Sequence, residues 1–185
     1  AADLMSQAEH DKLASAMLVT TSEELVEKVN VELKRQVAYL SRKEIIEESL
    51  KNYGGAILVK DLKEAFDVSN YLAPEHLEVL VENPVNTLPS IKNAGSIFLG
   101  EYSPEPLGDY MSGTNHVLPT SGTARFSSAL SVDSFIKKSS YLYYSKHAIE
   151  DYGKYIETIR GIGYKFEIKK WGIESGKTIK TSKDG

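Results

Sequence analysis

Residues 53–81, YGGAILVKDLKEAFDVSNYLAPEHLEVLV, decide the fold of this chain. After a glycine pair, the apolar run at 56–59 predicts a buried strand, as found in parallel sheets that are covered on both faces. Asp61 is a predicted N-cap of the helix that follows. Residues 77–81 predict the next strand. This succession of strand, helix and strand indicates a parallel α/β sheet.

The same alternation continues on both sides of this stretch. Residues 17–21 predict an earlier strand, and Ser22 is a predicted N-cap of the helices that extend from there to about residue 50. A short helix to residue 91 precedes a fourth predicted strand at 95–100. The sequence therefore predicts a parallel sheet with helices on both faces.

The two ends of the chain and one long internal segment have a different composition. We expect a helix over residues 2–16, a loop rich in Pro, Gly, Ser and Thr over 102–123, a strand at 141–144 and a helix over 146–160. From residue 172 onward the chain is rich in Lys, Gly, Ser and Thr, which is typical of a frayed end. Because the first residues, AADLM, have the composition of a helix interior, we expect the chain to be a piece of a longer protein.

Charge and composition exclude several classes of function. The 185-residue chain has a formal net charge of −4 and a pI near 5.6, whereas proteins that bind nucleic acids or membrane surfaces are usually basic. We therefore expect neither partner. The absence of cysteine excludes disulfides and thiolate chemistry and is compatible with a cytoplasmic location. No apolar run has transmembrane length.

The first of three histidine clusters is Ser6-Gln7-Ala8-Glu9-His10. On a helix, Gln7 and His10 would project from one face, where a carboxamide oxygen and an imidazole nitrogen could bind one cation. Such a neutral N/O pair suits zinc better than calcium. A solvated helix with a chance histidine is the alternative.

The second cluster joins Glu75 to His76, directly after Pro74. Pro74 disfavours the α-helical region for Ala73 and so fixes the approach to this pair, which we place at the mouth of a predicted strand. Adjacent Glu and His can act as two bases with different pKa values. A polar helix cap is an equally good explanation of the dipeptide.

The third cluster comprises Asp109, Asn115 and His116, in a predicted loop with Gly108 and Gly113. The glycines allow tight backbone turns, and Asp109 could complete an oxygen-and-imidazole metal shell. An aspartate in a loop is more often a turn former.

Four stretches together resemble the histidinol dehydrogenase family of zinc enzymes. They are AADLMSQAEHD at 1–11, NYLAPEHLEVL at 70–80, NAGSIFLGEYSPEPLGDYMSGTNHVLPTSGTARF at 93–126 and SSALSVDSFIKKSSYLYYSK at 127–146. The resemblance extends from residue 1 to about 152. It implies an incomplete Rossmann-like α/β fold with a small C-terminal α+β appendage, and a zinc- and substrate-binding domain at 1–130 followed by a C-terminal segment at 131–185.

The resemblance also implies a role for each candidate residue. The family oxidises L-histidinol to L-histidine in two NAD-dependent steps, with a zinc ion that holds the imidazole and amine of the substrate. The implied zinc ligands, which also contact the substrate, are Gln7, His10 and Asp109. His76 matches the base that takes the alcohol proton, and His116 matches a histidine that contacts the substrate. Glu75 matches the group that activates water in the second oxidation.

Two departures from the family pattern limit what the resemblance implies. Enzymes of this family are longer, and most of their NAD site precedes the point that matches residue 1, so the resemblance implies zinc and NAD as cofactors but assigns no cofactor residue here. Family members are homodimers in which a C-terminal histidine of the partner supplies the fourth zinc ligand. Here no histidine follows His147, and residues 157–167, ETIRGIGYKFE, are similar to a winged-helix hairpin or to a simple Gly turn between strands. A non-catalytic fragment or a fusion that keeps the fold and part of the zinc site is the alternative.

Overall fold

The computed structural model describes residues 1–152, except the side chain of Asp109, and the backbone of residues 156–159 and 163–166. The chain divides into two compact units, 1–136 and 137–185. In chain order, the first unit contains α1 (Ala2–Ala8), β1 (Ala16–Thr20), α2 (Glu23–Val37), α3 (Lys43–Tyr53), β2 (Gly54–Leu58), α4 (Leu62–Leu72), β3 (His76–Val79), β4 (Ser96–Leu99) and α5 (Glu105–Tyr110). Short 3-10 helices at Pro84–Ser90, Thr123–Arg125 and Val132–Phe135 complete it.

The strands of the first unit are parallel, as the sequence predicts. β1 pairs with β2 from Ala16↔Gly54 to Thr20↔Leu58, and β3 pairs with β4 from His76↔Ser96 to Val79↔Leu99. The α/β class, with short parallel sheets flanked by helices, is therefore confirmed. Within the described residues, however, the strands form two separate pairs and not one sheet.

Strand β2 differs from its prediction as a buried strand. The side chain of Leu58 is 54% exposed, although Val59, directly after the strand, is buried. Apolar strands of a parallel sheet are normally covered on both faces. An apolar run thus identified the strand correctly but not its burial in this chain.

The main hydrophobic core lies among the first three helices. Met5 and Ala8 of α1 pack with Val37 of α2 and Ile46 of α3, and Ile46 is completely buried. The Ser49 hydroxyl, also fully buried, donates a hydrogen bond of 2.8 Å to the carbonyl of Ala14. These contacts hold α1 against the rest of the first unit. They thereby also determine the positions of the α1 residues that face away from the core.

Local sequence explains where the central helices begin. The hydroxyl of Ser22 accepts a hydrogen bond from the backbone N–H of Leu25, and Asp61 accepts one from the N–H of Glu64. Both caps satisfy amide groups that have no partner inside the helix. The predicted N-caps are thus confirmed.

Helix α4 ends in a left-handed residue that turns the chain into β3. Ala73 has φ 50° and ψ 61°, and its N–H donates to the carbonyl of Ser69. Pro74 disfavours the right-handed helical conformation of Ala73, as expected, and the left-handed conformation ends the helix. Asn70 attaches the segment before β4 to this helix end, since its Oδ1 accepts from the N–H of Lys92.

Three secondary-structure predictions are wrong. Helix α1 ends at Ala8 rather than at residue 16, and the segment 105–110, predicted as part of a loop, is helix α5. Residues 141–144 are not a strand, and Tyr141 is 95% exposed. Aromatic residues favour strands only where they pack against neighbouring strands or against a buried face.

The second unit contains α6 (Lys146–Tyr152) and an antiparallel pair of strands, β5 (Ile156–Ile159) and β6 (Gly163–Phe166). The predicted helix over 146–160 is therefore correct only in its first half. The antiparallel strands agree with both explanations of residues 157–167, a winged-helix hairpin and a turn between short strands, and residues 160–162 lie outside the described residues. The polar end predicted from residue 172 lies outside the described residues. No helix in the described part of the chain is long and apolar enough to cross a membrane.

Candidate active site around His76

His76 is the first residue of β3, next to the turn formed by Ala73. The carbonyls of Pro74 and Glu75 accept hydrogen bonds from the N–H groups of Gly95 and Ser96, at 2.9 and 2.8 Å. This backbone pairing holds the start of β3 against β4. His76 therefore lies at the amino end of its strand, whereas α/β proteins usually bind ligands at the carboxyl ends. Our placement of the pair at a usual site position is wrong in this respect.

Gln7 brings helix α1 to the imidazole of His76. Its Oε1 lies 3.0 Å from Nδ1 of His76, across 69 residues of sequence. Gln7 stands one residue before Ala8, which is buried in the core, so the packing of α1 determines where this carboxamide lies. The structure thus places two of the predicted site residues in direct contact.

The ring of Phe98 packs beside the ring of His76. Their centroids are 5.9 Å apart with an angle of 44° between the ring planes. Phe98 is buried and lies so close to Gly108 that an added Cβ on Gly108 would be 2.8 Å from Cε1 of Phe98. A glycine at position 108 therefore allows helix α5 to lie close to Phe98.

Glu105 faces the other ring nitrogen of His76. Its Oε1 lies 4.0 Å from Nε2, and the side chains of His76 and Glu105 are only 17% and 16% exposed. Glu105 is the first residue of α5 and was not among the residues singled out in the sequence. The sequence does contain a signal for the start of α5. Pro104 and Pro106 lie there, and proline is favoured at the first positions of a helix.

Glu78, another residue of β3, adds a carboxyl group to the region around His76. Burial raises the pKa of Glu78, and the charges of Asp3 and Glu105 raise it further. Asp3 and Gln7 are four residues apart on α1 and therefore lie on one face of that helix. His76 and Glu78, two apart on β3, likewise point to one side of the strand. The site consequently combines one imidazole with several carboxylates.

The remaining predicted residues do not join this pair by any hydrogen bond or ion pair among the fully described residues. His10 is exposed in the turn after α1, not on a helix with Gln7, and its carbonyl accepts from Arg42 at 3.4 Å. His116 is exposed in an irregular segment. Glu75 contributes its carbonyl to the backbone pairing described above. Asp109 lies in α5 rather than in a loop, and its side chain is outside the described part.

The donor set predicted for zinc fits that metal chemically. Gln7, His10 and Asp109 offer a carboxamide oxygen, an imidazole nitrogen and a carboxylate, and zinc accepts nitrogen and oxygen ligands. Gln7 and His10 are also linked through the backbone, since the N–H of His10 donates to the carbonyl of Gln7 at 3.3 Å. Among the residues described in full, which do not include the carboxylate of Asp109, no three His, Asp or Glu side chains are grouped as a metal site.

An α/β scaffold that holds a largely buried imidazole between a carboxamide and a carboxylate defines a protein with a candidate acid–base site. The family model described as Histidinol dehydrogenase matches residues 1–162, and the chain belongs to this family.

Curated relatives support the same assignment. The chain is 67% identical over 158 residues to the histidinol dehydrogenase of Lactococcus lactis, in a match that covers 85% of this chain and 37% of that protein. It is 68% identical over 151 residues to that of Clostridium acetobutylicum, covering 82% of this chain and 35% of that protein. The chain thus spans little more than a third of the length of these relatives.

A solved structure shows the same fold. The crystal structure of histidinol dehydrogenase from Elizabethkingia anophelis superposes with a TM-score of 0.75 at 41% sequence identity. The match covers 83% of this chain and 35% of that one. The two-stranded sheets described above therefore correspond to part of a larger fold.

Proposed function

We propose that this chain provides the zinc- and substrate-binding part of a histidinol dehydrogenase, an oxidoreductase that converts L-histidinol to L-histidine in two NAD-dependent steps. The observation that supports this most directly is the contact between Gln7 and His76, at 3.0 Å. Two residues with different proposed roles, one for the metal and one for proton transfer, meet although they are far apart in sequence.

His76 is the proposed base for the alcohol proton. Because Oε1 of Gln7 can only accept a hydrogen bond, the facing Nδ1 must donate, and Nε2 is then the nitrogen available to take a proton. Glu75 is the proposed group that activates water, and His116 is a proposed substrate contact. The ring of Phe98 limits the motion of the base, which favours a fixed orientation toward a bound alcohol.

Zinc is the proposed metal, with Gln7, His10 and Asp109 as its ligands and as further contacts to the substrate. When bound, zinc would orient the substrate and polarise it as a Lewis acid. NAD is the proposed hydride acceptor, and we assign none of its binding residues to this chain. The proposal further includes a homodimer, a cytoplasmic location, and no nucleic-acid or membrane partner.

The test measures two properties of the purified 185-residue chain. Zinc binding is measured by calorimetry, and formation of NADH from L-histidinol is followed with zinc and NAD present. We expect zinc binding that is lost in His10→Ala and retained in His147→Ala, since His147 is exposed and pairs with Asp151 of its own helix. Equal zinc affinity in the wild type and His10→Ala would reject the ligand assignment.

A non-catalytic fragment is the second candidate, favoured by the small share of the relatives' length that this chain spans. It predicts zinc binding that depends on His10 without NADH formation. NADH formation that requires His76 would reject it.

A further inference from the structure

We propose that Asn70 is a positioning residue for Glu75 and His76, and that it acts through its carboxamide oxygen. Asn70 is not assigned a contact with the substrate. Its oxygen holds residues 90–93, which lead into strand β4, and β4 in turn pairs with the backbone at Glu75. This proposal rests on the proposed function, in which Glu75 activates water and His76 is the base for the alcohol proton.

The carboxamide of Asn70 makes three hydrogen bonds to one neighbouring segment. Its Oδ1 accepts from the backbone N–H groups of Lys92 and Asn93, at 2.6 and 3.2 Å. Its Nδ2 donates to the carbonyl of Ser90 at 2.8 Å. An asparagine side chain has an acceptor oxygen and a donor nitrogen, so each end of the carboxamide has a partner of the right kind.

Asn93 reinforces the same junction from the opposite side. Its Nδ2 donates to the backbone carbonyl of Asn70 at 2.9 Å. Asn70 lies in the last turn of α4, where the carbonyl groups have no partner inside the helix. The side chain of Asn93 therefore satisfies one of these carbonyls. Four hydrogen bonds in all attach residues 90–93 to the end of α4.

The residues that follow connect this attachment to the proposed site. The N–H groups of Gly95 and Ser96 donate to the carbonyls of Pro74 and Glu75, at 2.9 and 2.8 Å. A single residue separates Asn93 from Gly95 in the sequence. The hydrogen bonds at Asn93 therefore leave little freedom in where β4 begins.

Gly95 makes the connection tight. A Cβ on Gly95 would lie 2.6 Å from the carbonyl oxygen of Glu75 and 3.2 Å from Cδ of Pro119. Only a glycine lets the backbone approach the Glu75 carbonyl so closely. The position of Gly95, which Asn70 fixes from one side, therefore determines where the peptide group between Glu75 and His76 lies.

The register of β3 and β4 also decides which side chain lies beside the imidazole. His76 pairs with Ser96, so Phe98, two residues further along β4, points to the same face as His76. The centroids of the two rings are 5.9 Å apart. A shift of β4 by one residue would turn Phe98 to the opposite face and remove this contact. The bonds from Asn70 to Asn93 oppose such a shift, because they hold the chain three residues before Ser96.

Hydrogen exchange in the full 185-residue chain tests the effect of Asn70 on β4. NMR measures the protection of the N–H groups of Gly95 and Ser96, with the N–H of Val59, which donates to Thr20, as the reference. In Asn70→Ala we expect protection of Gly95 and Ser96 to fall roughly ten- to hundred-fold further than that of Val59, because nearby hydrogen bonds are lost. An equal fall at all three positions would overturn the proposal.

The ring resonances of His76 provide a second readout, because they depend on the position of the imidazole relative to Phe98. Asn70→Ala should displace them. Asn70→Asp keeps an acceptor for the N–H groups of Lys92 and Asn93 and should leave the resonances near their wild-type positions. Equal displacement in both variants would overturn the role of the carboxamide oxygen.

Two controls separate this effect from a general loss of stability. Asn30→Ala, at an exposed position on α2, should change neither the exchange of Gly95 and Ser96 nor the resonances of His76. The wild type in enough urea to match the unfolding free energy of Asn70→Ala should keep its His76 resonances. If urea displaces them as Asn70→Ala does, Asn70 acts through stability alone and the proposal fails.

Failure of this proposal is distinguishable from failure of the proposed function, because neither NMR readout requires turnover. A chain that responds as expected but forms no NADH would support the positioning by Asn70 and reject only the catalytic role of the chain. If the wild type does form NADH, Asn70→Ala should lower kcat by up to about a hundred-fold and leave zinc affinity unchanged. Unchanged kcat in a variant whose His76 resonances have moved would overturn the role of Asn70.

Discussion

Gln7 and His76 are 69 residues apart in the sequence, yet Oε1 of Gln7 lies 3.0 Å from Nδ1 of His76. The contact joins helix α1 to the start of strand β3. It also determines which nitrogen of the imidazole has the hydrogen, because a carboxamide oxygen can bond only to N–H. The chemistry of the site depends on that choice, since the other nitrogen faces Glu105.

Replacing Gln7 by Leu should remove the hydrogen bond that keeps the imidazole hydrogen of His76 on Nδ1. The side chains are similar in size, but Leu has no acceptor, so the mostly buried Nδ1–H loses its partner at a cost of about 1–3 kcal/mol. We expect lower stability in urea and histidine 15N shifts that indicate a mixture of both tautomers. Gln36→Leu is the control, because its carboxamide donates to Glu32 on the surface of α2. Unchanged His76 shifts in Gln7→Leu would contradict the assigned hydrogen bond.

Replacing Gly108 by Ala should disturb His76 without touching it. The new Cβ would meet Cε1 of Phe98 at 2.8 Å, and Phe98 packs against the imidazole. Overpacking of this kind costs about 1–3 kcal/mol and moves neighbouring rings. We expect displaced His76 ring resonances together with a lower unfolding free energy.

Gly113→Ala is the matched control for that substitution. Gly113 has φ +73° with no atom near its Cβ position, so the substitution costs backbone strain of about 1–2 kcal/mol but creates no clash. Both variants should therefore be destabilised, while only Gly108→Ala shifts the His76 resonances. Equal His76 spectra in the two variants would contradict the path through Phe98.

The sequence was sufficient for the parallel strands. The site residues remain predictions, and of these the structure brings only Gln7 and His76 into contact. Alternating apolar runs and N-caps at Ser22 and Asp61 are local signals, and the structure confirms them. The exposure of Leu58 depends on what covers the strand, which no local signal contains.

Glu105 shows why the sequence did not predict every residue that faces His76. Its segment contains Pro104, Pro106 and Gly108, a composition typical of loops, yet it forms a helix whose first residue faces His76. Proline is tolerated in a first helical turn because the N–H groups there have no helical partner. The contact itself is between elements distant in sequence, and no spacing rule would have found it.

Replacing Ile46 by Ala should test whether the core holds the site in place. Ile46 is completely buried against Met5 and Ala8 of α1, the helix that positions Gln7. Truncation of a buried Ile to Ala typically costs about 2–5 kcal/mol. We expect a large loss of stability and weaker protection of the His76 Nδ1–H from exchange. Val31→Ala on α2, where Val31 is 65% exposed, should change stability by less than about 0.5 kcal/mol. Equal effects of both substitutions would contradict the position of the core.

Glu78 should make the stability of the chain depend on pH. Burial, followed by the charges of Asp3 and Glu105, raises its pKa above the ordinary value of 4.5. The folded state therefore binds this proton more tightly than the unfolded state. As the pH rises from about 4.5 through the raised pKa, the folded chain must give up a proton that the unfolded chain has already lost, so the unfolding free energy falls and then levels off.

Glu78→Gln removes this titration and should be more stable than the wild type at neutral pH. The difference should shrink as the pH is lowered through the same window, because a protonated Glu and a Gln are both uncharged. Thermal unfolding of both chains between pH 4 and pH 8 measures it, with the exposed Glu82→Gln as control. A constant difference between wild type and Glu78→Gln at every pH would show that Glu78 affects stability by packing and not by its charge.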